Sequence, residues 1–349
     1  MNKLEQTISR IELLNEEAGQ KASDYLNTLT KPLGSLGRLE ELAIQLAGIT
    51  EELPLEIMRK AIIIMAGDHG VCEEGVSAFP QEVTPQMVMN FLHGGAAINV
   101  LARQAGADVI CVDIGVNADL EHPDLYSRKV RRGTANMACG AAMSRDEAIL
   151  AISHGIEMVE ELVGKGYRLF ATGEMGIGNT TASAAMLSVL TGVDIEQAVG
   201  RGTGVDDTGL LKKKDTIKRA IAMNNPDVND PLDVLSKLGG LEIAGLTGVI
   251  LGCAALRCPV VIDGFIASVA ALIATRLAPQ SIAYMIPSHV SQESGHRLLL
   301  EQLHLTPMID MKMRLGEGTG AVLCLHLIDA AVLIMQEMAT FEQASVSSS

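Results

Sequence analysis

The sequence predicts an α/β fold with a mostly parallel sheet of about six strands flanked by helices, plus a small helical bundle built from both termini. Two observations predict this fold. Short apolar runs rich in β-branched residues alternate with helix-like segments along the middle of the 349-residue chain. Polar residues collect just after those runs. Continuous apolar strands separated by helices are typical of a parallel sheet that is covered on both faces.

Five stretches have the pattern of buried strands, and we expect about one more. Each is an apolar run that ends in a polar loop. Ligands of an open parallel sheet bind beyond the carboxyl ends of its strands, so a functional site is expected among these loops. In chain order the stretches are AIIIMAGDHG (61–70), ADVICVDIGV (107–116), YRLFATGEM (167–175), CPVVIDG (258–264) and IAYMIPSHVS (282–291).

The two ends of the chain differ from its middle. Residues 3–28 are polar and helical, and the sequence after residue 291 predicts a helix, a loop and a long helix from Ala321. We expect a helical subdomain of residues 1–30 and 295–349, beside an α/β catalytic domain of residues 31–294.

Composition excludes some classes of protein. The net charge of −15 argues against nucleic acid as a partner, because phosphate backbones need clustered Lys and Arg. The six cysteines include no CxxC pair, which indicates reduced thiols in a cytoplasmic protein. The apolar stretches 243–256 and 321–335 are shorter than the roughly 20 residues of a membrane span, so both are interpreted as core helices.

The loop GEMGIGNTT (173–181) follows one of the strands and has two interpretations. It can be an ordinary strand-to-helix turn, in which Asn179 or Thr180 caps the next helix. It can also cradle a phosphate or carboxylate at the N-terminus of that helix. Glu174 is unusual for an anion site and would suit sugar hydroxyls or a cationic ring. The loop matches neither GxGxxG nor a Walker motif.

Other polar residues are weaker candidates. GVDDTG (204–209) does not end an apolar strand, so it predicts a turn before a lysine-rich helix. Most of those lysines should face solvent, and Lys213 is the one expected to reach a phosphate. Asp68 and His69 end a strand, but the remaining histidines are scattered, so no metal site is expected. No G-x-S-x-G elbow is present.

The segment LGEGTG (315–320) places one carboxylate, Glu317, between two glycines ahead of a long apolar run. Glu317 can cap that helix, where the helix dipole stabilises a carboxylate. It can also be a catalytic acid or base that the glycines expose. Burial would raise its pKa and the helix end would lower it. The residues alone leave these alternatives open.

Eight motifs, taken together and in order, resemble the nicotinate-nucleotide–dimethylbenzimidazole phosphoribosyltransferase family. They extend from about residue 30 to residue 321. The motifs are KPLGSLGRLEELAIQLAG, AGDHGV, PQEVTPQMV, GEMGIGNTT, DVLSKLGGLEIAGLTGVILG, VVIDGF, IPSH and MRLGEGTGA.

The resemblance implies a Rossmann-like domain with a small helical bundle, in a homodimer. It implies transfer of the 5-phosphoribosyl group from nicotinate mononucleotide to 5,6-dimethylbenzimidazole, with inversion at the anomeric carbon, in cobalamin nucleotide-loop biosynthesis. No metal or cofactor is implied, because the leaving group is a pyridinium and no diphosphate departs. Glu317 lies in the motif that carries the family's catalytic base.

The same resemblance assigns the remaining site residues by substrate part. Residues for ribose or nicotinate are Glu174, Gly176, Asn179 and Thr180. Those for the phosphate are Gly202, Lys213, Gly264 and Ser291. Asp263 closes a strand beside the phosphate. Those for the acceptor base are Phe79, Met87, Met175 and Leu315. Some family members have small or polar residues where this chain has Phe79 and Met87, so another benzimidazole, a purine or a phenolic base stays open as acceptor.

Two rival functions come from other classes of protein. One is a non-catalytic protein that binds a nucleotide or cobamide precursor with the same fold. The other is a Rossmann dehydrogenase, which the sequence disfavours because GxGxxG is missing after the first strand.

Overall fold

The computed structural model describes residues 2–202 and 204–347. Within that part of the chain, six strands form one parallel sheet with the order β3-β2-β1-β4-β5-β6. The predicted α/β fold is confirmed, and the additional strand is the short β3. The strands are β1 Lys60–Gly67, β2 Ala107–Gly115, β3 Leu125–Ser127, β4 Leu169–Met175, β5 Val260–Ile262 and β6 Met285–Pro287.

Fourteen α-helices connect and flank these strands in the described residues. Short 3₁₀ helices span Gly70–Glu74 and Pro279–Tyr284. The α-helices are α1 Lys3–Ile8, α2 Glu16–Leu26, α3 Arg38–Thr50, α4 Val83–Leu92, α5 Ala97–Ala105, α6 Arg145–Gly164, α7 Asn179–Thr191, α8 Ile195–Ala198, α9 Asp207–Asn224, α10 Pro231–Leu238, α11 Leu241–Ala255, α12 Phe265–Leu277, α13 Ser294–Gln302 and α14 Thr319–Glu337.

The central strand β1 is buried along its whole length and separates two apolar layers. Successive side chains of a strand point to opposite faces of the sheet. Ile63 and Met65 accordingly join the layer that contains α6, α11 and α12, whereas Ile62 and Ile64 join the layer that contains α3, α5 and α14. The two-sided burial explains why β1 reads as a continuous apolar run.

The strand order reverses its direction between β1 and β4. The chain builds β1, β2 and β3 outward on one side, then returns to place β4, β5 and β6 on the other. Such a reversal leaves a crevice beyond the carboxyl ends of the strands. The polar loops identified in the sequence therefore meet at one edge of the sheet.

The two termini meet beside the sheet. The backbone N–H of Thr30 donates to the carbonyl of Ala339 at 3.0 Å, and that of Phe341 donates to Thr28 at 2.9 Å. Helix α2 packs on α3, and α3 packs on α14. The boundary of a separate helical subdomain stays a prediction.

Helix α14 is, in the described residues, the one helix long and apolar enough to cross a membrane by length and composition. Its apolar side chains, including Leu325 and Ile328, are buried in the layer that covers the sheet. This burial agrees with the interpretation of α14 as a core helix.

Candidate active site

A cleft of about 390 Å³ opens beyond the carboxyl ends of β4, β5 and β6. Its floor comes from the strand ends, one wall from residues 79–87, and another from the segment that precedes α14. The lining residues are Phe79, Val83, Met87, Glu174, Met175, Gly176, Ile177, Asn179, Thr180, Gly202, Asp263, Gly264, Phe265, Ile266, Ala267, His289, Ser291, Glu293, Arg314, Leu315, Gly316 and Glu317. Every candidate site residue from the sequence lines this cleft except Lys213.

Glu317 is held by an unusual backbone conformation. Gly316, Glu317 and Gly318 have consecutive positive φ angles of 83°, 63° and 90°. A non-glycine residue adopts such an angle at a cost of about 1–2 kcal/mol, and such strain clusters at functional sites. The carbonyl of Glu317 also lies 2.7 Å from where a Cβ of Gly173 would be. Strand β4 therefore needs a glycine at residue 173 to let Glu317 approach.

Asp263, at the end of β5, caps the N-terminus of α14. Its carboxylate accepts hydrogen bonds from the backbone N–H of Gly318 at 3.2 Å and of Ala321 at 2.9 Å. The N-cap residue Gly318 offers no side chain, and Glu317 makes no capping hydrogen bond. The interpretation of Glu317 as a helix cap is thus wrong, because a carboxylate from another strand fills that role and leaves Glu317 free to face the cleft.

The carboxylate of Glu317 is buried, with only 6% of the residue exposed, and its Oε2 has no hydrogen-bond partner in the described residues. Burial raises the pKa of Glu317 to about 7, with a contribution from the charge of Asp263. Hydrogen bonding from the backbone of Ile98, in the first turn of α5, opposes this rise. Burial therefore prevails over helix-end stabilisation, and Glu317 can exchange a proton near neutral pH.

Glu174 lies beside Glu317 at the end of β4. The Nδ2 group of Asn179 donates to Glu174 Oε2. Burial raises the pKa of Glu174 to about 8, reinforced by the charges of Asp263 and Glu242. The expectation that Asn179 or Thr180 caps the next helix is wrong, because α7 begins at Asn179 after the N-cap Gly178, with no side-chain cap. Asn179 instead holds Glu174.

Lys213 lies behind the cleft wall rather than on it. It is 1% exposed, and its ammonium donates to Thr180 Oγ1 at 2.7 Å. Burial lowers the pKa of Lys213 to about 8, and Glu293 opposes the shift. The ammonium forms no ion pair with a carboxylate of the described residues. Gly202 faces it, since a Cβ there would lie 3.1 Å from Lys213 Nζ.

Part of the cleft lining is apolar, and we call it the apolar wall. It is formed by Phe79, Val83, Met87, Met175 and Leu315. Phe79 and Leu315 stand at the rim, since they are 51% and 57% exposed. A flat aromatic molecule can bury its faces against such a wall, while Glu317 offers the nearby carboxylate.

Three polar lining residues were not singled out from the sequence: His289, Glu293 and Arg314. His289 and Glu293 follow β6, and the polar loop after that strand already indicated a site. Arg314 directly precedes LGEG in the motif MRLGEGTGA, so its neighbourhood also indicated a site. Single residues in such loops cannot be ranked without knowing which side chains turn toward the cleft.

Comparisons with known proteins show the family to which the chain belongs. A family model described as phosphoribosyltransferase matches residues 11–346. The chain is 56% identical over 348 residues to the nicotinate-nucleotide–dimethylbenzimidazole phosphoribosyltransferase of Chloroflexus aggregans, covering 99% of both chains. It is 54% identical to the enzyme of that name from Halalkalibacterium halodurans, covering 99% of this chain and 97% of that one.

A solved structure gives the same relationship. The crystal structure of CobT from Thermus thermophilus superposes with a TM-score of 0.92 at 46% identity, over 95% of this chain and 100% of that one. Identity at this level over the full length, together with the matching fold, identifies an enzyme that transfers a phosphoribosyl group. The chain belongs to the nicotinate-nucleotide–dimethylbenzimidazole phosphoribosyltransferase family.

Proposed function

We propose that this enzyme transfers the 5-phosphoribosyl group of nicotinate mononucleotide to 5,6-dimethylbenzimidazole or a related base. The products are α-ribazole 5′-phosphate and nicotinate, with inversion at the anomeric carbon. The observation that carries the proposal is the buried carboxylate of Glu317, a residue that lines a cleft with an apolar wall and whose Oε2 has no partner in the described residues. The names of the relatives support the same substrates.

Glu317 is proposed as the general base. The unprotonated ring nitrogen of the acceptor attacks the anomeric carbon with its lone pair. The bond from that carbon to the pyridinium nitrogen breaks, and its electron pair returns to the departing ring. Glu317 takes the proton from the other nitrogen of the acceptor, so the product ring leaves neutral. General base catalysis of this kind contributes about 10²–10⁴-fold.

Two further carboxyl groups suit the ribose. Glu174 has a pKa of about 8, so it is mostly protonated at neutral pH and can donate to a ribose hydroxyl. Asp263 lines the same part of the cleft and brings a carboxylate near the anomeric carbon, where positive charge develops. Its two oxygens also hold the start of α14. We therefore propose a positioning role for Asp263 as well.

We propose that the phosphate binds beside Lys213, Thr180 and Gly202. Gly264 and Ser291, at the facing strand ends, are proposed to contact it as well. Lys213 is a buried cation without an ion-pair partner in the described chain, which is costly unless an anion arrives. A bound phosphate would compensate for this burial and raise the pKa of Lys213 back toward its ordinary value.

A product analysis tests this function. Nicotinate mononucleotide is incubated with a panel of benzimidazoles, purines and phenols, and released nicotinate is measured with the anomeric configuration of the nucleotide formed. We expect equal amounts of nicotinate and α-linked product, highest with dimethylbenzimidazole. Binding of the mononucleotide without nicotinate release would favour the alternative of a non-catalytic binding protein. We further propose that the enzyme is a cytoplasmic homodimer. Light scattering tests the dimer, because it measures the molar mass of the particle in solution.

A further inference from the structure

The cleft is poor in positive charge for a site that binds an anion. Among its described lining residues, four are carboxylic acids, and Arg314 is the one Lys or Arg. Under the proposed function, on which this inference rests, the donor carries a phosphate and a carboxylate. Lys213 approaches only from behind Thr180. Arg314 is therefore the exposed cation of the described cleft lining.

Arg314 is engaged with the same loop that forms the phosphate end of the cleft. Its Nη1 donates to the carbonyl oxygen of Gly202 at 3.3 Å, which is a long contact to a neutral acceptor. Gly202 in turn lies against Thr180 and Lys213. A phosphate oxygen is a stronger acceptor for a guanidinium than a carbonyl oxygen is. A phosphate beside Gly202 would thus compete for the guanidinium.

Arg314 also has room to change its partner. It lines both the cleft and a neighbouring cavity of about 530 Å³, and Glu293 lies on the same boundary. Only Leu315 and Gly316 separate Arg314 from Glu317. Beyond Glu317 the chain is fixed, because Asp263 holds the N–H of Gly318. On the other side, Met313 is held by the N–H of Gln292, which donates to its carbonyl at 2.9 Å. Between these two anchored points, the side chain of Arg314 adds the contact with Gly202.

We propose that Arg314 couples the donor phosphate to the placement of Glu317. The phosphate takes the guanidinium from the Gly202 carbonyl and so anchors residues 314–316. This additional anchor holds the Glu317 carboxylate against the acceptor base. Arg314 is a binding residue for the phosphate and a positioning residue for Glu317. Part of the phosphate's binding energy is then realised in the rate of the chemical step, rather than in binding alone.

The test compares two donors in three variants. The donors are nicotinate mononucleotide and nicotinate riboside, which lacks the phosphate. The variants are Arg314→Gln, Arg314→Lys and the control Lys312→Gln, which removes a cation from the same segment at an exposed position. Arg314→Gln should lower kcat/KM for the mononucleotide by about 10–100-fold, with kcat falling too, because a charged hydrogen bond is lost. For the riboside, Arg314→Gln should lower kcat/KM by less than about 3-fold.

Arg314→Lys should retain part of the kcat/KM that Arg314→Gln loses. Lys312→Gln should leave kcat/KM unchanged for both donors. Inorganic phosphate added with the riboside should raise turnover in the wild type and not in Arg314→Gln. Equal losses with both donors, a change in KM alone, or equal activation by phosphate in wild type and variant would overturn the coupling. Thermal unfolding of each variant identifies any that fail to fold. A wild-type enzyme that releases no nicotinate from the mononucleotide would instead refute the proposed function.

Discussion

The carboxylate of Asp263 accepts the backbone N–H of Ala321 at 2.9 Å, so the helix that follows Glu317 is capped from a strand 58 residues earlier in the chain. Removing this carboxylate as Asp263→Ala should lower the free energy of unfolding by about 1–3 kcal/mol, because two N–H groups lose their acceptor. The kcat should fall by more than the loss of folded protein explains, because the segment that carries Glu317 loses its anchor. Urea unfolding and kcat measure the two effects, and the exposed Asp310→Asn is the control.

Asp263→Asn makes a finer test. The amide keeps one acceptor but removes the charge that contributes to the raised pKa values of Glu317 and Glu174. The acid limb of the pH–rate profile should then move to lower pH. If the acid limb of the pH–rate profile stays at the same pH in Asp263→Asn, the charge of Asp263 does not act on Glu317.

Glu317→Gln should lower kcat by about 10²–10⁴-fold, because the proton acceptor is lost while the shape is kept. The dissociation constant for nicotinate mononucleotide should change little, which isothermal titration can measure. Glu301→Gln, at an exposed position of α13, is the matched control. Turnover at the wild-type rate in Glu317→Gln would rule out its role as base.

The pH dependence of the wild type should follow the same carboxyl group. Because burial raises the pKa of Glu317 to about 7, kcat/KM for the acceptor should rise with pH up to about 7 and then level off. If protonated Glu174 donates to ribose, activity should fall again above about 8, where its pKa lies. Glu174→Gln mimics the protonated acid and should remove this alkaline limb.

Ionisation of Glu317 should make the stability of the fold decrease with pH in the range where kcat/KM increases. Its pKa is about 7 when folded and 4.5 as the ordinary value, so folding takes up a proton between these pH values. The free energy of unfolding should therefore fall as pH rises from about 4.5 to about 7. At pH 8, Glu317→Gln should be more stable than the wild type by on the order of 1–3 kcal/mol. Chemical denaturation at pH 5 and pH 8 measures the difference.

The apolar wall should set the preference for the acceptor. Met87→Gln or Phe79→Ser should lower the ratio of kcat/KM for dimethylbenzimidazole over adenine by about 3–30-fold, because methyl contacts are replaced by polar surface. Met223→Gln, on an exposed methionine of α9, is the control. An unchanged ratio would place the acceptor elsewhere in the cleft.

A buried pair beneath the cleft should contribute mainly to stability. His69 Nε2 lies 2.6 Å from Glu242 Oε1, and both residues are buried. Burial would lower the pKa of His69, yet the charges of Glu242 and Asp68 raise it. His69→Ala should cost about 3–5 kcal/mol by leaving a buried charge unpaired. The pair of the partly buried His154 and the exposed Glu157 offers the control His154→Ala, which should cost less than about 1 kcal/mol.

The double variant His69→Ala with Glu242→Gln should cost less than the sum of its single changes, because the unpaired charge is removed with its partner. The contribution of protonated His69 is complete below its unfolded pKa and is lost as pH rises through its raised folded pKa. Additive losses in the double variant would show that the pair is not coupled.

The fold was largely predictable because its signals are local. Five strands are apolar runs that continue on both faces of the sheet, and β1 is the clearest example. The sixth strand, β3, has only three residues, at least partly exposed, so no apolar run indicates it. The capping role predicted for Asn179 failed because a tertiary partner, Glu174, attracts its side chain.

The sequence by itself determined the parallel sheet, the polar loops at its strand ends and the family that they resemble, because periodicity and motif order are properties of the chain. The tertiary structure decided what Glu317 is. Its role depends on Asp263 capping α14, on Gly173 making space and on burial that raises its pKa. The tertiary structure also placed Lys213 behind Thr180 and Arg314 on the cleft. These are distances between residues far apart in the chain, and only folding creates them.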